Sequence, residues 1–443
     1  MKPWPMVVGI ALAVASGAAS PADLLQVLRD ARNYDAQYAS ARAALEAGRE
    51  KLPQGRALLL PTINGAGNTT WNRNEISFRG GATPGPFIRE FNSNSATITL
   101  TQPLFRRQNL VQYEQAGYQV LQAETQYLLA GQDLIVRVAQ AYFDVLAAQD
   151  SVAFIRAQKT SITEQLAQAK RNFEVGTATI TDTHEAQSRF DLSISQEIAA
   201  ENDLELKRRV LQQLIGKFPA ELAPLRSALQ LSPPQPNSMN QWVESAQAQN
   251  LSVRVQEAAA EIAALEVTRN RAGRYPTVDV VGQIGRSASG SNQLSGVGND
   301  QTFSAVGLQL AVPFYAGGAI DSRVREALAN QDRARSDLEN TRRSAALSAR
   351  QSFLGVTNGM AQVRALEQAL ISSEAALASN RLGYDVGVRI NIDVLNSQQQ
   401  VFSVKRDLSR ARYDTIVNGL RLKAAAGTLT EADVEEVNRL LAE

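Results

Sequence analysis

Two long stretches without proline constrain this chain more than any other feature. Residues 104–218 contain no proline, and neither do residues 314–443. Because proline ends or kinks a helix, two such runs predict very long helices. Each run follows an alternating, strand-like segment that ends near a proline, ATITLTQPLF at 96–105 and AVGLQLAVPFY at 305–315. The chain therefore uses one plan twice: strands, then a long helical stretch.

The two halves also match residue by residue when one is shifted by 211 positions. Gly176 then aligns with Gly387, and Asp182 aligns with Asp393. The same shift aligns other residues of the two halves: Tyr142 with Phe353, Val145 with Val356, and Phe173 with Tyr384. Matches that keep in step over about 50 residues indicate an internal duplication, and such repeats decide the architecture. We therefore expect two units of the same fold.

Each unit is expected to contain the same elements in the same order. Approach helices over about 22–58 and 240–274 lead to two strands around a polar loop. A very long helix, a turn and a shorter returning helix follow. The predicted domains are a signal peptide, two repeats, a linker and a tail: 1–19, 20–218, 219–239, 240–426 and 427–443, with the linker at 219–239. The long helices, over 106–173 and 318–384, would each extend roughly 100 Å at 1.5 Å per residue.

The long helices carry a heptad pattern. In the first, apolar or small residues recur in alternating steps of three and four, which is typical of coiled-coil packing. These positions are Leu134, Val138, Ala141, Val145, Ala148, Val152, Ile155, Ile162, Leu166, Ala169 and Phe173. We expect this seam to be buried. The segments GTATITD at 176–182 and GVRINID at 387–393 would then be the far tips of two helical hairpins.

The N-terminus is typical of a secretory signal peptide. Lys2 supplies a positive charge, residues 6–16 are mostly apolar, and small residues follow at 16–20. No later segment offers about 18 consecutive apolar residues, the length that a transmembrane helix needs. We therefore expect an exported protein that could cross a membrane only with strands.

Composition argues against several classes of function. The chain carries 45 Lys and Arg against 44 Asp and Glu, whereas nucleic-acid binding normally requires a basic excess. It has no cysteine and one histidine, which excludes disulfides, thiolate metal sites and cysteine nucleophiles. There is no nucleophile–base motif, HExxH or P-loop, and the Gly-rich stretch RGGATPG at 79–85 does not lead into a helix. We expect no enzymatic activity, no catalytic residue and no metal site.

The predicted strands alternate between an apolar and a polar face. Ala96, Ile98 and Leu100 share one face, with threonines between them. In the second unit the apolar positions are Val306, Leu308, Leu310 and Val312. Segments of about ten residues with this pattern occur in transmembrane β-barrels, although a soluble sheet with one buried face shows it too. Four strands per chain cannot close a barrel, so a membrane-spanning version must be a dimer with about eight strands or a trimer with about twelve.

Five motifs carry a resemblance to a known family. They are LLPTI at 59–63, QPLF at 102–105, NFEVGTATITDTHEAQSRFD at 172–191, GYDVGVRINIDVLNSQQQ at 383–400 and ARYDTIVNGLRLKAAAGTL at 411–429. In order, spacing and duplication they resemble the TolC family of outer-membrane efflux and secretion ducts. The resemblance implies an α+β membrane protein and a homotrimer. Its chains would form a twelve-stranded β-barrel in the outer membrane, continued by a coiled-coil helical tunnel in the periplasm.

The resemblance also implies a function and partners. Members of the family carry drugs or unfolded proteins to the cell exterior, so we expect an exit duct for type I secretion, multidrug efflux or both. The implied partners are a periplasmic adaptor (membrane fusion) protein, an inner-membrane ABC or proton-driven transporter, and outer-membrane lipid, with no nucleic acid. No cofactor is implied for transport. The lack of a cysteine for lipidation favours the branch that serves secretion.

The resemblance further implies a polar latch that closes the periplasmic tip of the tunnel. The residues at the matching positions are Gln165, Thr181, Asp182, Tyr384 and Arg389. An ion pair between Asp182 and Arg389, with Tyr384 donating to Asp182, is chemically reasonable. Each such contact near water contributes about 1 kcal/mol or less. The family's two acidic constriction rings fall on Asp393 and Asn396, so the second ring lacks its carboxylate here.

Two alternatives stay open at this stage. The tips could be ordinary solvated turns with incidental charges, and His184 beside the first tip is expected to be solvated rather than a pH sensor. The whole chain could also be a secreted coiled-coil adhesin or fibre. A fibre would account for export and heptads, but it has no need of alternating strands with proline-marked ends.

Overall fold

The computed structural model describes residues 21–77, 86–219, 221–226, 231–291 and 297–442. The predicted signal peptide and the Gly-rich stretch at 79–85 lie outside the described residues, as does part of the predicted linker.

Both units have the predicted order of elements. The first consists of α1 (Leu24–Tyr34), α2 (Ala36–Arg49), α3 (Lys51–Ala57), β1 (Thr62–Ile76), β2 (Phe87–Phe105), α4 (Arg107–Glu174) and α5 (Ile180–Ile215). The second consists of α6 (Met239–Gln249), α7 (Leu251–Arg271), β3 (Thr277–Ser289), β4 (Asn299–Ala311), α8 (Ala319–Asp385) and α9 (Asn391–Ala425), followed by α10 (Glu431–Asn438). The long helices contain 68 and 67 residues and lie within one residue of the predicted bounds. Among the described helices, none is both long and apolar enough to cross a membrane.

The approach helices, predicted as continuous, are broken by capping side chains. Asp35 ends α1 and begins α2, and its carboxylate accepts the Tyr38 N–H at 2.7 Å. Asn250 does the same between α6 and α7, accepting the Ser252 N–H at 2.9 Å. The expectation of one helix over 22–58 and one over 240–274 is therefore wrong. Short polar side chains favour helix caps over helix interiors, because they compete for backbone hydrogen bonds.

These breaks also attach the short helices to long ones. Arg137 of α4 donates from both terminal nitrogens to the Asp35 carboxylate, at 3.0 and 3.1 Å. The Asn250 amide donates to the carbonyl of Ala425, at the end of α9, at 2.9 Å. Each cap thus holds the join of two stacked short helices at a fixed height along its partner.

The predicted heptad seam of α4 is buried over most of its length. All but two of its positions are buried; Ile155 is half-buried and Phe173 is 43% exposed. Phe173 belongs to the last turn of α4, beside the tip, where one chain offers little packing. The largest apolar core lies further along α4. There the fully buried Tyr142 donates its hydroxyl to the Ala223 carbonyl at 2.8 Å, which holds the linker against the helix.

The four strands form one antiparallel sheet in the order β1-β2-β3-β4. The two units meet where β2 pairs with β3 and Ile98 lies opposite Ile284. The predicted apolar face is confirmed, and it is exposed: Ile98 is 53%, Ile284 56% and Val306 83% accessible. Within the described residues, the outer edges of β1 and β4 have no strand partner. A soluble sheet would bury such a face, so the single chain leaves this sheet incomplete.

A buried ion pair fixes the corner between the sheet and the helices. Arg106, which precedes α4, donates to both oxygens of Asp279 in β3, at 2.8 and 2.6 Å. Asp279 is only 5% exposed. The pairing of β2 with β3 shifts register between Pro103 and Phe105 at the same corner. Because bidentate pairs are directional, this contact orients the start of α4 relative to the sheet.

Candidate functional site at the hairpin tips

The two tips have the same backbone geometry. Gly176 and Gly387 adopt positive φ angles of 78° and 79°. In the first tip the Thr177 N–H donates to the Asn172 carbonyl at 2.8 Å; in the second, the Val388 N–H donates to the Gly383 carbonyl at 2.9 Å. This is the left-handed ending of a helix, which favours glycine because it has no Cβ. The duplication seen in the sequence therefore extends to individual hydrogen bonds.

The two tips diverge immediately after the turn. In the first, Thr179 and Asp182 form a capping box: the Thr179 N–H donates to the Asp182 carboxylate at 2.9 Å, and the Asp182 N–H donates to the Thr179 hydroxyl at 3.3 Å. The residue equivalent to Thr179 is Ile390, whose side chain cannot accept a hydrogen bond. Asp393 is therefore not used as a cap. It pairs instead with Arg389, with Nη1 and Oδ2 3.5 Å apart.

The predicted ion pair between Asp182 and Arg389 is not formed within one chain. The Asp182 carboxylate is held by Thr179, whose hydroxyl also donates to it at 2.9 Å. Arg389 is bound to Asp393 on its own tip, and its side chain is 58% exposed. The Asp182–Arg389 contact stays a prediction for neighbouring chains of an assembly.

Tyr384 takes part in a different contact from the predicted one. Its hydroxyl accepts a hydrogen bond from the side-chain amide of Asn172 at 3.0 Å. This bond links the end of α4 to the end of α8, so it joins the two hairpins at their tips. Sequence reasoning missed Asn172. Its position, four residues before the turn glycine and equivalent to Gly383, was the available signal.

Gln165 and Thr181, the other predicted latch residues, are not brought together. Gln165 lies on α4 and is half-buried, and its buried Oε1 has no hydrogen-bond partner among the described residues. Thr181 is exposed in the first turn of α5, and His184 is exposed one turn later. Their roles in a latch also stay predictions.

Arg389 is positioned by a close approach to Gly383. A Cβ atom at position 383 would lie 2.7 Å from Cγ and 3.3 Å from Cβ of Arg389. The Arg389 N–H also donates to the Gly383 carbonyl at 3.0 Å. Glycine at this position therefore lets the arginine stem lie against the end of α8.

The second predicted ring position, Asn396, is exposed and bound to an arginine. Arg189 of α5 donates from Nη2 to the Asn396 side-chain oxygen at 3.0 Å and from Nη1 to that of Gln399 at 2.6 Å. These bonds connect α5 to α9, the two returning helices. Sequence reasoning missed Arg189 because nothing local relates it to a residue 207 positions away.

Buried polar side chains lie behind the tips. Gln398 is 1% exposed and Asn391 is 4% exposed. Both side-chain atoms of Gln398 and the Asn391 amide nitrogen have no hydrogen-bond partner among the described residues. They interleave along α9 with Leu395, which packs against Ile162 and Leu166 of α4 in a small apolar cluster. Unsatisfied buried amides weaken such packing, so this end of the hairpins is less firmly held than an apolar seam would be.

Comparison with known proteins gives one matching family and many relatives. The family described as "Outer membrane efflux protein" matches residues 27–217 and 242–428. The chain is 34% identical over 438 residues to outer membrane protein TolC of Vibrio cholerae, covering 99% of this chain and 98% of that protein. It is also 34% identical over 407 residues to the alkaline protease secretion protein AprF of Pseudomonas aeruginosa, covering 91% of this chain and 84% of AprF.

Solved structures show the same fold at lower sequence identity. The Campylobacter jejuni CmeC outer membrane channel superimposes with a TM-score of 0.78 at 15% identity, covering 99% of this chain and 98% of that one. At this identity the likeness concerns the fold alone. It confirms the predicted fold class, with long helical hairpins and a four-stranded sheet in each chain.

Proposed function

The chain belongs to the outer membrane efflux protein family, and on that premise we propose that it is a trimeric exit duct of the bacterial outer membrane. Its cargo enters from the periplasm and leaves at the cell exterior. Protein is the cargo class that we favour, because the 34% identical relative AprF is named for alkaline protease secretion. Small-molecule efflux is the second candidate, favoured by the description of the family itself.

The observation that carries the proposal is the incomplete sheet. Its apolar face is exposed, and its outer strands β1 and β4 are unpaired in the described chain. Three copies would join β4 of one chain to β1 of the next and close a barrel of about twelve strands, a size that leaves an interior passage. The exposed isoleucine, leucine and valine side chains would then face lipid, as membrane barrels require.

The helical hairpins would continue that passage as a periplasmic tunnel. At 1.5 Å per residue, the long helices extend roughly 100 Å from the sheet to the tips. The tips are thus the part of the duct furthest from the outer membrane. We propose that they meet a periplasmic adaptor protein there, and that the adaptor connects the duct to an inner-membrane transporter of the ABC or proton-driven class.

The same tips would close the duct at rest. In this proposal Arg389 of one chain exchanges its own Asp393 for Asp182 of the next, and Tyr384, Gln165 and Thr181 support the closed ring. Asp393 and Asn396 would line the narrowest part of the tunnel. Three weak contacts repeated around a ring can hold a gate that a docking protein is still able to displace.

Two other functions fit the molecule less well. A secreted fibre would use the helices, but it leaves the exposed apolar face of the sheet without a purpose. For an enzyme, the sequence contains no recognisable catalytic motif, and we assign no catalytic step to the chain.

The test is reconstitution of the purified trimer in a planar lipid bilayer, with protein export measured in cells that lack the gene. A duct gives discrete single-channel currents, and its loss abolishes export of one or more secreted proteins. Folded trimers that fractionate away from outer membranes and give no currents would favour the fibre. Currents with normal protein export but increased drug sensitivity in the deletion strain would favour efflux.

A further inference from the structure

Arg189 is the starting point of an inference that rests on the proposed duct and concerns which ions it admits. The residue lies on α5, two helical turns from the first tip, and reaches across to α9. There its guanidinium is bound by two side-chain amide oxygens, those of Asn396 and Gln399. The arrangement fixes the guanidinium in one place between the two returning helices.

The partners of Arg189 do not neutralise it. Amide oxygens accept hydrogen bonds but carry no net charge, and arginine stays protonated in proteins. Glu185 precedes Arg189 by one turn on the same helix, a spacing at which oppositely charged residues often interact. The guanidinium nevertheless contacts α9, and among the described residues no carboxylate lies within ion-pair distance of Arg189. One uncompensated positive charge per chain is therefore held at the height of Asn396.

The position of that charge follows from the faces of α9. Val394, Leu395 and Gln398 are buried and face the packed core. Asn396 and Gln399 are exposed, on the same side of the helix as Asp393. Asp393 and Asn396 are three residues apart, so the two levels are separated by about 4.5 Å along the helix axis. In the proposed tunnel, a ring of acids is thus followed at once by a ring of arginines.

We propose that Arg189 determines the charge selectivity of the duct, by making the Asn396 level of the constriction positive rather than acidic. A passage with a negative and a positive ring in succession has no strong preference for cations. It admits inorganic anions and the carboxylates of an acidic polypeptide, which two consecutive acidic rings would repel.

The test is the reversal potential of single channels in a planar bilayer with unequal KCl concentrations on the two sides. Arg189→Gln removes one charge per chain while an amide can still bond to α9. Asn396→Asp removes the same net charge by pairing Arg189 with a carboxylate. Both variants should raise the potassium-to-chloride permeability ratio by about threefold or more, the factor expected for a unit charge roughly 6 Å from the ion in water.

Two controls separate this effect from general ones. Arg189→Lys keeps the charge and loses the two-pronged geometry, so its permeability ratio should equal that of the wild type. Lys170→Gln removes an exposed charge from α4 near the tip, and it should leave the ratio unchanged.

Each contrary result has a distinct meaning. Unchanged ratios in both Arg189→Gln and Asn396→Asp, or an equal shift in Lys170→Gln, would overturn the inference while leaving the duct intact. A larger conductance in Arg189→Gln at an unchanged ratio would show that Arg189 acts only as a strap between α5 and α9, and would also overturn it. Folded trimers without any current would overturn the duct and this inference together.

Discussion

Arg389 and Asp393 form an ion pair within the second tip, whereas the equivalent positions of the first tip, Ala178 and Asp182, cannot form one. The same duplicated aspartate therefore has two different uses. Asp182 caps a helix, and Asp393 holds an arginine. In an assembled trimer, Arg389 has a choice between its own Asp393 and the Asp182 of a neighbour, and that choice is the basis of the proposed gate.

The partner of Arg389 in the closed trimer can be identified from three variants. We expect Arg389→Ser and Asp182→Asn to open the channel, and Asp393→Asn to leave it closed. A contact of about 1 kcal/mol per chain, repeated three times, shifts the closed–open equilibrium by roughly 100-fold. Single-channel conductance and open probability are the measurements.

The control for Asp182 is Thr179→Ala, which removes half of the capping box and keeps the carboxylate. It should stay closed if the charge of Asp182 matters and its capping role does not. Opening by Asp393→Asn with no opening by Asp182→Asn would show that the gate depends on the pair within one chain.

Gly383→Ala should disturb the gate without changing any charge. The added Cβ would lie 2.7 Å from Cγ of Arg389, so the arginine stem must move. We expect a partial opening, smaller than that of Arg389→Ser. In the double variant, the glycine change should add nothing to the arginine change, since residues in contact are not additive. Equal and additive effects of the two changes on open probability would mean that Gly383 acts elsewhere.

The two turn glycines should have matching costs. Gly176→Ala and Gly387→Ala force a side chain into the left-handed region, at about 1–2 kcal/mol each. The expected result is faster amide hydrogen exchange confined to the tip concerned, read by mass spectrometry. Gly117→Ala is the control, because it lies inside α4 with open space around its Cβ position. An alanine there should be neutral or stabilising by up to about 1 kcal/mol.

The Asp35–Arg137 pair should make stability depend on pH. The hydrogen bonds from Arg137 lower the pKa of Asp35 below the ordinary value of 3.8. A lowered carboxyl pKa contributes stability that is fully present above 3.8 and is lost as the pH falls through the folded-state pKa. Asp35→Asn should therefore lower the thermal midpoint at neutral pH, and the difference from the wild type should shrink below that value.

Asp35→Ala is the comparison that separates the ion pair from the cap. Asparagine can still accept the Tyr38 N–H, whereas alanine cannot, so alanine should cost about 1 kcal/mol more. This additional cost should be the same at every pH tested. A wild-type advantage over Asp35→Asn that grows as the pH falls would contradict the assigned pair.

Gln398 should be replaceable by an apolar residue without loss of stability. Its amide is buried and has no partner among the described residues, a situation that costs about 1–3 kcal/mol. Gln398→Leu is expected to raise the temperature at which the trimer dissociates on a gel, and to lower its open probability. Gln400→Leu, nearby on the exposed side of α9, should change the dissociation temperature little. A strongly destabilised Gln398→Leu trimer would show that the amide is bonded in the assembly.

Much of the architecture was accessible from the sequence because it depends on local chemistry. The missing prolines predicted α4 and α8 to within one residue, and the glycines at 176 and 387 marked both tips. Alternation in the strands predicted which face is apolar. The approach helices were predicted wrongly, since Asp35 and Asn250 each interrupt a helix that the apolar pattern alone would continue.

The sequence by itself determined the duplication, the hairpins and the strands, because helix breaking, turn geometry and side-chain alternation act over a few residues. Only the tertiary structure decided which polar groups meet. Asn172 with Tyr384 and Arg189 with Asn396 are more than 200 positions apart in the chain. Their contacts depend on how far one hairpin slides along the other. That register is set by packing along the whole length of the helices, which no short segment contains.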